Sequence, residues 1–189
     1  MQIGILIFGW IIYFFLHSSL ASNVVKEVIN HQFPNLTKYY RLGYVIISTV
    51  GLLVLLYYNA NIESQDLLKR EGVVRYVSLV FAAFGAIILK LSFRTYDLSS
   101  FIGVKKEDNI FVRSGLLQHV RHPIYSATIL IVIGFFLFSP NQPTLVSTLC
   151  ILAYLPIGIW LEERKLLKAF GDDYRHYKQQ VPALVPKLF

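Results

Sequence analysis

The chain has little of what builds an ordinary water-soluble domain. Only 15% of its 189 residues are charged, 55% are hydrophobic, and the mean hydropathy is +0.54. That composition excludes a soluble globular domain and points to one integral membrane domain. There is a single cysteine, Cys150, set in an apolar run. One thiol excludes a disulfide framework and a cysteine metal cluster, and leaves Cys150 a packing residue. Internal repeats and low-complexity segments are absent, which excludes solenoids and arrays. Acidic residues are scarce, 11 against 18 Lys and Arg, for a formal charge of +7. No nucleic-acid motif accompanies that excess, so its distribution along the chain carries the meaning.

The basic residues alternate. Lys26, Lys38 and Arg41 fall in a first loop, and Arg94, Lys105, Lys106, Arg113 and Arg121 in a third. Arg164, Lys165, Lys168, Arg175, Lys178 and Lys187 fall in the tail. The second loop has only Lys69, Arg70 and Arg75 nearby, and the fourth has none. By the positive-inside rule this predicts five spans, with the N-terminus outside and the C-terminus cytoplasmic, as in a bacterial inner membrane.

The apolar runs agree. Residues 3–21 form a first span with no basic residue before it, unlike a secretory signal peptide. Residues 42–58 and 73–91 form the second and third, each near the roughly 20 residues that cross about 30 Å of hydrocarbon. Residues 123–138 and 144–161 form the fourth and fifth, joined by a non-helical turn, Ser139-Pro140-Asn141-Gln142-Pro143. Only helices or closed barrels cross lipid without stranding backbone groups, so the fold class is all-α. Residues 1–91 read as a three-helix scaffold. Residues 92–189 read as the catalytic region, with hairpin 123–161 and a cytoplasmic helical tail completing a pocket. In that tail Gly171 is a stop, Asp172-Asp173 cap a second short helix, Tyr174 and Tyr177 share its face, and Pro182 and Pro186 end it.

Polar groups in such a chain are costly and mark sites. His17 and Ser18 either reach the headgroups or lie near an active site, and Lys90 snorkels. His119 and His122 have the spacing of a metal pair, but Pro123 interrupts their helix and no third ligand recurs, so no metal is expected. Arg121 and His122 are donors at the mouth of a helix that starts at Pro123, where free amides attract an anion. Glu162-Glu163 are adjacent carboxylates whose repulsion a cation would relieve. The hairpin returns both clusters to one membrane face, where together they suit a zwitterion.

Gly115, Arg121-His122-Pro123-x-Tyr125, Glu162-Glu163, Phe170-Gly171-x-x-Tyr174-x-x-Tyr177 and Val181-Pro182 together resemble the isoprenylcysteine carboxyl methyltransferase and phospholipid methyltransferase superfamily of membrane enzymes. Leu16-His17-Ser18 and Tyr40-Arg41-Leu42 look like the bacterial branch that includes NnrU-like proteins and methanethiol methyltransferases. The resemblance implies S-adenosylmethionine as methyl donor. Its contacts would be Asn109, Ile110, Phe111, Val112, Leu117, His122, Pro123, Ile124, Tyr125 and Glu162, with Arg121 and Glu163 as catalytic residues. Leu117 stands where tyrosine is common. Gly158 stands where the isoprenylcysteine enzymes carry an arginine for the substrate carboxylate, which favours a small thiol or another lipophilic acceptor over prenylcysteine. A thiolate would need no base; for a thiol or hydroxyl, Glu163, His119 and Tyr125 are the alternatives. The competing readings are an NADPH-dependent sterol-type reductase, which shares a related Arg-His-Pro region, and a non-catalytic NnrU-like membrane protein. The expected partners are membrane lipids and the substrate, with no nucleic acid.

Overall fold

The computed structural model describes residues 1–95 and 111–186, and its elements are all helical. They are α1 (Gln2–Leu20), α2 (Asn23–Gln32), α3 (Tyr40–Ala60), α4 (Val73–Thr95), α5 (Pro123–Phe138) and α6 (Gln142–Gln180), with 3-10 turns at Pro34–Tyr39 and Gly115–Gln118. Four of them, α1, α3, α4 and α6, are long and apolar enough to cross a membrane, and α5 is a shorter apolar helix of 16 residues. At about 1.5 Å per residue α5 covers about 24 Å. The five expected spans therefore correspond to four full-length helices and one short one.

Two differences from the sequence reading have local causes. The first loop contains α2, whose start is fixed by Ser22: its hydroxyl accepts from the Val25 amide at 3.2 Å, the usual serine cap. The turn between α5 and α6 is shorter than expected, because Asn141 caps α6 through the Thr144 amide at 3.0 Å and Pro143 lies within the first helical turn. Proline there forfeits no hydrogen bond, since the first amides of a helix have no partner within it.

The helices pack as two groups. In one, Leu6 and Trp10 of α1, Leu55 of α3 and Ile62 form a buried cluster, flanked by Val146, Cys150 and Ile151 of α6. In lipid no hydrophobic effect draws helices together, so polar contacts matter more. Trp10 Nε1 donates to Ser147 Oγ (2.9 Å), Ser147 Oγ to Asn59 Oδ1 (2.8 Å), and Asn59 Nδ2 to Thr144 Oγ1 (3.2 Å). These residues tie α1, α3 and α6 near the end of the bundle that carries Met1.

The other group is α4 with α5, which pack on each other far more closely than α5 does on its chain neighbour α6. Small residues permit this. A Cβ at Gly134 would come 2.9 Å from both Ala82 N and Ser78 O, and one at Gly85 would come 3.0 Å from Ala127 O. Close backbone approach through small side chains is the characteristic membrane-helix contact. The α5–α6 hairpin is thus braced from outside by α4, and the opposite end of the bundle holds the polar clusters.

Candidate functional site

The two polar clusters meet. Arg121 Nη2 donates to Glu163 Oε1 at 2.8 Å and Nε to the same oxygen at 3.2 Å. His122 Nε2 lies 3.2 Å from that oxygen, and Lys178 donates to Glu163 Oε2. Glu163, just past the 144–161 crossing, is therefore held by the cations Arg121 and Lys178 and by the His122 imidazole. Burial raises its carboxyl, but the hydrogen bonds from Lys178, His122 and Arg121 outweigh that and hold it at about 2.

Glu162 differs. Its side chain is 42% exposed against 10% for Glu163, and it lies 3.7 Å from His122 Nδ1. The hydroxyl of Tyr125, whose ring packs edge-on against His122 (centroids 5.5 Å), also faces the Glu162 carboxylate. The adjacent pair thus divides into one carboxylate consumed by protein cations and one open to a ligand.

Gly171 makes this possible. Its backbone (φ 54, ψ −123) breaks α6 where a stop was expected, and an L side chain rarely adopts that conformation. The chain then redirects so that Tyr174 and Tyr177 are buried and Lys178 returns to Glu163. Beyond Val181 the tail runs along the start of α5. The Arg121 amide donates to Pro182 O (2.9 Å), the His122 amide to Ala183 O (3.0 Å), and Ser126 Oγ to Leu184 O (2.6 Å). Arg121 Nη1 donates to the carbonyls of Lys178 and Val181. The amides of Arg121 and His122 are therefore occupied by the tail, and Arg121 is spent on Glu163 and backbone carbonyls.

The remaining expected residues are placed as follows. Asn109 and Ile110 lie outside the described residues. Phe111 stacks on Phe170 (5.0 Å), with the Arg113 guanidinium 4.4 Å from its centroid, and it meets Tyr177 edge-on at 5.3 Å. Val112 follows it, half-buried. Leu117 is buried and its carbonyl accepts from Tyr177 at 2.6 Å, so this position joins the Gly115–Gln118 turn to the tail. Gly115 has φ 61, which explains a glycine there. Pro123 and Ile124 open α5 beside His122. His119 is exposed whereas His122 is buried, so the two imidazoles occupy different environments. Gly158 is buried against Tyr125: a Cβ there would come 3.1 Å from its hydroxyl and ring edge.

Three participants escaped the sequence reading as site residues: Lys178, the carbonyls of 181–184, and Tyr174 as an unpartnered donor. Tyr174 is 1% exposed, and its hydroxyl has no hydrogen-bond partner. Burial and then the Glu163 carboxylate raise its ionisation, so it stays a neutral donor. The Tyr174-x-x-Tyr177 spacing showed a shared face but not which hydroxyl would be left open.

Comparison with known proteins agrees with the resemblance. The chain is 29% identical over 164 residues to methanethiol S-methyltransferase of Pseudomonas deceptionensis, covering 78% of this chain and 60% of that protein. It is 40% identical over 76 residues to methanethiol S-methyltransferase 1 of Bradyrhizobium diazoefficiens, covering 38% and 24%. With protein-S-isoprenylcysteine O-methyltransferase of Schizosaccharomyces pombe it shares 30% over 92 residues, covering 44% and 36%. The chain thus spans between 24% and 60% of the length of these curated relatives. No solved structure matches. No observation favours the nicotinamide-dependent reductase. The family described as NnrU protein matches residues 5–186, from the first membrane helix through the tail that closes on Arg121, and the chain belongs to that family.

Proposed function

We propose that the protein is a membrane methyltransferase that moves a methyl group from S-adenosylmethionine to a small thiol or another lipophilic acceptor, with the site end of the bundle facing the cytoplasm. The observation that carries this reading is the unequal use of the adjacent glutamates. Glu163 is neutralised by Arg121, His122 and Lys178, whereas Glu162 keeps a half-exposed carboxylate beside a buried imidazole and Tyr125. Such a carboxylate suits a cationic ligand, and the buried, unpartnered Tyr174 hydroxyl nearby suits a ligand that also carries acceptors. The names of the relatives and the clustering of Lys and Arg at this end support the same assignment.

S-adenosylmethionine, when bound, supplies an electrophilic methyl group on a sulfonium. Phe111, Val112, Leu117, His122, Pro123, Ile124, Tyr125 and Glu162 would hold it, and the family resemblance adds Asn109 and Ile110, which lie outside the described residues. Glu162 provides the counter-charge, and Tyr125 is fixed between Glu162, His122 and Gly158. Arg121 and Glu163 act as positioning residues: they lock the tail onto α5 and orient His122. Because displacement at a methyl carbon depends on alignment, this rigidity contributes by holding reactants in line, where effective molarity gives roughly 7–11 kcal/mol. Glu163, held at about 2 by hydrogen bonds from Lys178, His122 and Arg121, is a poor proton acceptor near neutral pH.

The test is mass spectrometry of products after the purified chain is incubated with isotopically labelled S-adenosylmethionine and separate panels of small thiols, lipids and prenylcysteines. A labelled methyl thioether is the expected product. Donor binding without transfer to any panel member would refute the acceptor class, and no donor binding at all would refute the methyltransferase reading.

A further inference from the structure

His17 lies in α1, a helix long and apolar enough to cross a membrane, and takes no part in the site around Glu163. It is half-buried and turned toward α3. Nδ1 lies 3.2 Å from Ser48 Oγ, and Nε2 lies 3.2 Å from the Tyr44 hydroxyl. Its ring packs on Tyr13 (centroids 5.8 Å) and Tyr44 (5.4 Å). An ionisable side chain oriented this way inside a membrane helix marks a ligand or proton path by default.

A second observation points to a ligand. The imidazole borders a groove of about 190 Å³ between α1 and α3, open on the side where Ile12, Leu16 and Ile47 are exposed, with Ser48 beside it and Leu55 in its apolar floor. Two glycines let α1 and α3 approach closely along it: a Cβ would come 2.8 Å from Leu55 at Gly9, and 3.2 Å from Tyr13 at Gly51. An apolar cavity of about 150 Å³ is enough for benzene. This one accommodates a small neutral molecule and is below the roughly 300 Å³ at which drug-sized sites begin. A lipid chain would use the apolar wall and leave the imidazole idle; a small thiol uses both.

A chain of contacts leads from His17 toward the methyl-donor wall: its neighbour Ser18 lies 2.7 Å from the Tyr154 hydroxyl, and a Cβ at Gly158 would come 3.5 Å from the Tyr154 ring and 3.1 Å from Tyr125. The titratable groups facing His17 are Tyr13 of α1, Tyr44 of α3 and Lys165 of α6, with Tyr154 of α6 acting on Tyr13. No carboxylate is among them.

We infer that this groove receives the methyl acceptor and that His17 takes the proton of a small neutral thiol, an inference that rests on the methyltransferase reading. The thiol S–H bond breaks, its proton passes to the Ser48 hydroxyl oxygen, and the Ser48 proton passes to Nδ1 of His17, 3.2 Å away. The thiol sulfur's electron pair forms the new S–CH₃ bond, and the donor's methyl–sulfonium bond breaks with its electrons going to the donor sulfur. Ser48 and Tyr44 orient the ring, which later returns the proton to water at the site end.

Two thiols of nearly equal size separate this role from a structural one. Ethanethiol is protonated at pH 7, whereas 2,2,2-trifluoroethanethiol is already a thiolate at pH 9. For the full chain in detergent, His17→Gln should lower ethanethiol turnover at pH 7 by about 100-fold, the scale of a lost proton acceptor. Turnover of trifluoroethanethiol at pH 9 should fall only a few-fold. Fluorine NMR of trifluoroethanethiol added without methyl donor should show saturable binding to the native chain. Ile47→Trp, a change at a lipid-facing position of the groove wall, should abolish it. Equal losses with both thiols, unchanged turnover in His17→Gln, or binding indifferent to Ile47→Trp would overturn the inference. If S-adenosylmethionine binds but neither thiol is methylated, the acceptor assignment falls and the donor site stands. Failure of the native chain to bind S-adenosylmethionine would instead remove the methyltransferase reading.

Discussion

The two ends of the bundle each bury a polar network, and they are built on opposite principles. Near Met1, Trp10, Ser147, Asn59 and Thr144 form a neutral chain of hydrogen bonds, and Asn59 and both hydroxyls are almost fully enclosed. At the other end the network is charged and unevenly satisfied: Glu163 has three side-chain partners, two of them cations, Glu162 stays half-exposed, and the Tyr174 hydroxyl has no partner among the described residues. A closed neutral network holds helices together where lipid gives no hydrophobic drive. An open charged one is expensive unless something binds there. The contrast assigns structure to the first and function to the second.

The largest effect should come from breaking the closed part of the charged end. Glu163→Ala leaves Arg121 and His122 without their anion, and removing one partner of a buried pair costs about 3–5 kcal/mol. Thermal unfolding in detergent should show that loss. The same carboxyl gives a pH signature. Its folded value is depressed to about 2, so its stabilising contribution is complete above the unfolded value near 4.3 and is lost as pH falls from there toward 2. Unfolding followed between pH 6 and pH 2.5 should fall more steeply for the native chain than for Glu163→Gln.

A smaller loss is expected at the other end. Asn59→Ala strands Ser147 and Thr144 and should cost about 1–3 kcal/mol, with donor affinity unchanged. Reduced donor affinity in that variant would show that the ends are not independent. The smallest stability effect is expected at Gly158→Ala, which presses a methyl group on Tyr125 at 3.1 Å. It should leave the melting temperature within about 3 °C, since the roughly 1 kcal/mol that alanine gains over glycine inside a helix offsets the cost of the tight buried contact. It should lower turnover several-fold, read as initial rates at saturating donor.

Much of this was legible in the sequence because membrane helices announce themselves. Length and hydropathy located the four long apolar helices and the shorter α5, and the paired clusters Arg121-His122 and Glu162-Glu163, brought to one end by counting spans, do meet. What the pattern could not show was the division of labour between the glutamates. Adjacent residues on a helix diverge by about 100°, so one faces α5 and the tail while the other does not, and only the packing decides which. Lys178 was hidden for a related reason. It lies fifteen residues from Glu163, and periodicity predicts nothing across the positive φ of Gly171. The tight α4–α5 seam depends on Ser78, Ala82, Gly85 and Gly134, which are too ordinary in an apolar run to stand out. The cap at Asn141 and helix α2 were missed where a single side-chain acceptor, rather than hydrophobic pattern, starts the helix.

The central claim, that Glu162 is the open carboxylate of a methyl-donor site while Glu163 is structural, is tested most directly by calorimetric titration of S-adenosylmethionine into three proteins: the native chain, Glu162→Gln and Asn59→Ala. The account predicts saturable binding to the native chain and to Asn59→Ala, and a loss of about 10-fold to 100-fold in Glu162→Gln at unchanged melting temperature, the scale of a charged hydrogen-bonding partner removed. Equal affinity in Glu162→Gln and the native chain would contradict it.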